Sequence, residues 1–140
     1  MTSVPWKALL LSALVGGAQA PTAALAHHSF AMYDSAKLVT LKGTVKSFEW
    51  TNPHAILWVT TGPVAGQAPE LWSVELSTSP GNLTRMGWSK RSLNPGDRVA
   101  VDINPLRSGQ KGGSLKKVVL VDTGQVLTTT PLTSASAARP

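Results

Sequence analysis

The sequence predicts a small all-β barrel carrying one short helix, on three observations. Apolar residues alternate over short spans, the spans end in Gly, Pro, Asn or Asp, and a Ser-Pro pair opens a stretch of helical character after the third span. The first strand is predicted over residues 38–50, with Val39, Leu41 and Val45 on one face and then Phe48 and Trp50. The parity slips by one around Lys46-Ser47. A bulge at that point would bend the strand so that two halves of a small barrel can share it. Residues 55–60 are apolar on both faces, which places the second strand centrally. In the third, residues 71–76, Trp72, Val74 and Leu76 share one side, and Ser73 and Glu75 the other.

Ser79 then offers its hydroxyl as an N-cap, Pro80 sits where a helix needs no N–H, and Gly87 supplies a stop, so a short helix is expected between them. Asn94-Pro95-Gly96-Asp97 is a turn: proline presets one φ and glycine tolerates the positive φ that follows. It leads into a fourth strand over residues 98–103, with Val99, Val101 and Ile103 inward. Residues 108–113 hold three glycines in six positions and read as a mobile loop. The fifth strand covers residues 115–121, with a possible extension at 125–127.

Three strands, a helix and two strands is the order of a five-stranded oligonucleotide/oligosaccharide-binding (OB) barrel, whose helix plugs the barrel between strands three and four. An incomplete β-sandwich is the alternative. The domain is expected over residues 27–127. A Thr/Ser/Ala/Pro-rich tail, residues 128–140, has little to bury and reads as disordered. There is no internal repeat.

Composition excludes several chemistries. The 140 residues contain no cysteine, which removes disulfide scaffolds, thiolate zinc sites, cysteine nucleophiles and cysteine-held iron–sulfur centres. The net charge of +6 would attract acidic partners. The N-terminal segment directs which ones it meets. Lys7 precedes the apolar run of residues 8–15, the pattern of a secretory signal and too short for a span of about 20 residues. Residues 1–26 are read as that signal, cut after Ala24-Leu25-Ala26, because Pro21 disfavours the alternative site after Ala20. A periplasmic or secreted protein with no transmembrane segment after processing is expected. It would meet little nucleic acid, so the basic excess is read as a solvated surface or a contact with anionic envelope components.

Processing after Ala26 would leave His27-His28-Ser29-Phe30 as the new start. All three histidines lie in two stretches, this one and Trp50-Thr51-Asn52-Pro53-His54. A histidine bearing a free α-amine chelates a metal through that amine and its own Nδ1, and a second imidazole completes a T-shaped set of three nitrogens. Tetragonal nitrogen coordination suits Cu(II), which also heads the affinity order of divalent first-row metals. The candidate metal ligands are therefore His27 and His54, with His28 in reserve, since an amine, a deprotonated amide and a histidine at the second position also hold Cu(II) without any fold. Against this stands the plainer reading of polar residues at a frayed terminus and a histidine capping a turn.

Other candidates are weaker. Glu49 and Glu75 could act as acid and base, or Glu75 could back a metal ligand, but such carboxylates are usually surface partners of lysine. Ser73, Ser77 and Ser79 sit in no nucleophile elbow. Residues 109–114 imitate a phosphate loop in composition only, since a strand follows where a helix is required. Met32 and Met86 could ligate Cu(I) but are expected to pack. No catalytic residue is assigned. Trp50, Trp58, Trp72 and Trp88, with Arg85, Arg91 and Arg107, could form a stacking face for an envelope ligand or a protein, although the core should claim at least two of the four tryptophans.

The segments 27–34, 43–54, 85–88, 93–97, 105–107 and 112–115 together resemble a domain-of-unknown-function family of small exported bacterial proteins. Its members start after the signal with H-H-S-F-A-M-[FY]-D and carry W-T-N-P-H, as His27 to Asp34 and Trp50 to His54 do here. The resemblance implies export and a compact β domain, and brings no established activity. The expectation is thus an exported binding protein that traffics or holds copper, or else an envelope-interaction module without metal.

Overall fold

The computed structural model describes residues 30–62 and 68–130. The signal segment, His27, His28 and residues 131–140 of the tail lie outside them. Six strands, β1 (Val39–Glu49), β2 (Ile56–Thr61), β3 (Glu70–Glu75), β4 (Arg98–Pro105), β5 (Gly112–Leu120) and β6 (Val126–Thr128), form one sheet in the order β3-β2-β1-β4-β5-β6. A parallel pairing of β3 with β5, Ser73↔Gly112 to Glu75↔Ser114, closes the first five into a barrel. That seam decides for the OB-like arrangement and against a sandwich.

The bulge in β1 lies where parity slips: Val45 pairs with Val59 but Ser47 with Trp58, leaving Lys46 extra. Leu41 and Val45 face the interior before it, and Phe48 packs on the core after it. Leu57, Val59, Val74, Leu76, Val101 and Ile103 fill the centre and are fully buried. A single short helix, α1 (Pro80–Arg85), joins β3 to β4, with Ser79 Oγ accepting from the Asn82 amide at 3.4 Å. Gly87 ends it at φ +88°, a conformation favouring glycine. Leu83 and Trp88 turn inward and stopper the barrel end, and the Trp88 indole N–H donates to the Thr128 carbonyl at 2.8 Å.

The expected loop at 108–113 is shorter than the composition suggests. Gly112 and Gly113 belong to β5 and are buried. A Cβ on Gly113 would lie 2.6 Å from the Asn104 carbonyl oxygen, so these glycines permit close strand approach. The tail also begins later, since Thr128 belongs to β6 and the Thr129 hydroxyl donates to the Leu115 carbonyl at 3.0 Å.

On the outer face, Asp102 of β4 accepts from the Thr40 hydroxyl of β1 at 2.6 Å and pairs with Lys117 of β5 at 2.9 Å. Desolvation opposes its charge, but these two partners outweigh it and hold the carboxyl below the usual range. A depressed carboxylate contributes stability above its unfolded value near 4, and that contribution is lost as pH falls through the folded value. Asp102→Asn should therefore lose less stability than the wild type when urea midpoints at pH 7 and pH 3 are compared. Equal losses would remove Asp102 from the acid response.

Candidate functional site

His54 enters β2 from the turn Thr51-Asn52-Pro53, which contains a cis Asn52–Pro53 peptide bond. The Thr51 hydroxyl donates to the His54 carbonyl at 3.1 Å, and the Leu76 amide donates to the Ala55 carbonyl at 2.9 Å, extending the β2–β3 ladder past its last strand residue. Ala55 and Leu76 are buried, so His54 and Glu75, one step away on their chains, both point to the outer face. Glu75 stands opposite Ile56, which makes His54 its diagonal neighbour, within reach of long side chains. The His54 Nδ1 and the Glu75 Oε1 are hydrogen-bonded.

A third residue completes the cluster. The Tyr33 hydroxyl donates to the other oxygen of Glu75 at 2.6 Å. Tyr33 follows a 3₁₀ turn, Phe30–Met32, and bridges to Leu106 beyond the end of β4. The stretch is stitched down on both sides: the Asp34 amide donates to the Pro105 carbonyl at 2.8 Å, and Arg107 donates through its amide to Met32 O at 2.9 Å and through Nε to Ala31 O at 3.1 Å. Tyr33 is only 7% exposed. Burial first, then the hydrogen bond to Glu75 and its negative charge, raise the phenol pKa strongly, so the hydroxyl stays protonated. Met32, Tyr33, Ile56, Ser73, Glu75 and Leu106 surround a cavity of about 140 Å³ beside this cluster.

The electrostatics dictate the tautomer. A carboxylate only accepts, so the neutral His54 ring carries its hydrogen on Nδ1 and keeps a lone pair on Nε2. With 27% of the side chain exposed, the ring is partly open to solvent. The arrangement leaves Nε2 as the ring nitrogen available to a metal ion.

Of the sequence-predicted ligands, His54 is in place, while His27 and His28 lie outside the described residues. Among the described residues, no three His, Cys, Asp or Glu side chains come together in a way that could hold a metal ion. Glu75 departs from the expectation of a lysine-paired surface carboxylate, because the strand end aims it at His54 and Tyr33. Tyr33 was not singled out from the sequence; its place in the 27–34 motif, as the chain's sole tyrosine, was the available signal. Glu49 accepts from the Trp58 indole at 2.8 Å. Met32 is 39% exposed instead of packed, whereas Met86 packs against the core. The tryptophans do not share one face: Trp88 is core, Trp50 lies edge-on to Phe48 at 5.7 Å, and Trp72 lies under the Lys111 ammonium at 5.1 Å. No helix among the described residues is long and apolar enough to cross a membrane.

A sequence model of a family of unknown function, DUF6152, matches residues 15–116, and the chain belongs to that family. No curated protein and no solved structure matches it.

Proposed function

We propose that this DUF6152 member is an exported copper-binding protein in which His54 Nε2 supplies one ligand and the processed N-terminus the others. One observation carries the reading: a carboxylate grips Nδ1 of the histidine and is itself anchored by a buried phenol. Metal-ligating histidines are oriented in this way, with the far ring nitrogen bonded to a carboxylate that fixes the tautomer and raises ligand basicity. The remaining ligands are the α-amine and Nδ1 of His27, exposed by cleavage after Ala26, with His28 in reserve. Their reach supports this. His27 stands three residues before Phe30, where the 3₁₀ turn leading to Tyr33 begins, a tether of at most about 11 Å when extended, and Tyr33 touches Glu75.

Isothermal titration with Cu(II) tests the reading on three proteins: the chain beginning at His27, the same chain extended by one residue, and His54→Ala. Both alterations are expected to weaken binding by about tenfold or more, each tenfold corresponding to about 1.4 kcal/mol. Unchanged affinity in the extended chain would remove the amine from the site. Unchanged affinity in His54→Ala would sink the copper reading and leave an envelope-interaction barrel without metal.

A further inference from the structure

We propose that the barrel mouth opposite the helix binds a neutral sugar through Trp72, Asp34, Arg107 and Gln110, independently of His54. The position follows from the topology. α1 joins the end of β3 to the start of β4, and Trp88 stoppers that end of the barrel. β4 runs antiparallel to β1, so its last residue, Pro105, and the stretch leading into Val39 lie together at the other end. A cavity of about 380 Å³ lies there, between Trp72 of β3 and the loop that follows Pro105. Its volume is within the usual range for small-molecule sites, which favour the mouths of barrels. The loop is tied at both ends: the Leu106 amide donates to the Gly112 carbonyl at 3.0 Å, and the Ser73 amide to the Lys111 carbonyl at 3.1 Å.

The lining combines apolar surface from Trp72, Pro105 and Leu106 with polar groups from Asp34, Arg107 and Gln110. Trp72 is held by packing on the core and by the Lys111 ammonium, 5.1 Å from its ring centre, while its N–H is buried without an acceptor. The ring therefore contributes area and not a hydrogen bond. A sugar has matching halves, C–H surface and hydroxyls. The ion pairs in the wall select against charge. Asp34 is held by Lys37 at 3.4 Å and by Arg107 at 3.8 Å, the second too long for a direct hydrogen bond. A ligand with net charge would have to take one partner from the other. A hydroxyl group takes neither, since it donates to the carboxylate, which only accepts, and accepts from the guanidinium, which only donates. The Gln110 carboxamide does both and suits a further hydroxyl.

An NMR titration that follows backbone amide and indole N–H signals tests the site. The probes are glucose, galactose, N-acetylglucosamine and maltose, beside the charged sugars glucuronate and glucosamine. At least one neutral probe is expected to give saturable shifts centred on the Trp72 indole and on Arg107 and Gln110. Gln110→Ala, a change on an exposed loop, should weaken that probe by about three- to tenfold, the worth of one hydrogen bond. His54→Ala should bind it like the wild type, so failure of the copper reading leaves this site standing. Three results would overturn the proposal: no saturable shift with any neutral sugar, shifts undiminished in Gln110→Ala, or tighter binding of either charged sugar than of every neutral one.

Discussion

Trp88→Ala is expected to destabilise the domain by about 3–5 kcal/mol, the usual cost of removing a fully buried large aromatic side chain. Trp88 is 1% exposed and stoppers the barrel end beside Phe48, with ring centroids 6.0 Å apart. Truncation would open a void against Phe48 and the core and strand the Thr128 carbonyl that its indole satisfies. For a domain of this size, the melting temperature should fall by well over about 10 °C. Trp88→Phe keeps most of the volume but not the N–H, so it should cost less, and calorimetry of the two variants separates packing from hydrogen bonding. A drop of under about 1 kcal/mol in the alanine variant would show that the end of the barrel collapses freely around the vacancy.

Gly43→Ala should be comparably severe despite adding one methyl group. Gly43 lies mid-strand in β1 between β2 and β4, paired with Thr61 and Val99. A Cβ there would sit 2.3 Å from the Thr60 carbonyl oxygen and 2.9 Å from its carbon, both backbone atoms that cannot rotate away. The strands would have to separate, breaking ladder bonds in the centre of the barrel, and a loss of about 3 kcal/mol is expected. Gly62→Ala is the control, since nothing lies within 4 Å of the added atom, and it should stay within about 0.5 kcal/mol. Matching urea midpoints for the two variants would refute the close-approach account of Gly43.

The fold was legible where a local signal has a local cause. Ser79-Pro80 caps and starts a helix through its own atoms, Gly96 adopts φ +96° inside the Asn94–Asp97 turn, and the parity slip in β1 is the bulge itself. Gly112 and Gly113 misled because loop glycines and glycines of close strand approach look alike in composition. Only the neighbouring backbones, Asn104 for one and Ser73 for the other, distinguish them. The site divides in the same way. His54 stood out through histidine clustering and its place after Pro53, and the outward parity of Glu75 could be read from its strand. Their meeting requires the β2–β3 register, and the Tyr33–Glu75 bond joins residues 42 positions apart, which no local pattern encodes.

The seam that shuts the barrel ends at Glu75↔Ser114, on the very residue that grips His54 and Tyr33. Closing the cylinder therefore fixes the backbone that carries the Glu75 carboxylate, while the β2–β3 register brings His54 to it. Any ion captured there selects finished molecules over half-built ones and, by mass action, shields them from unravelling.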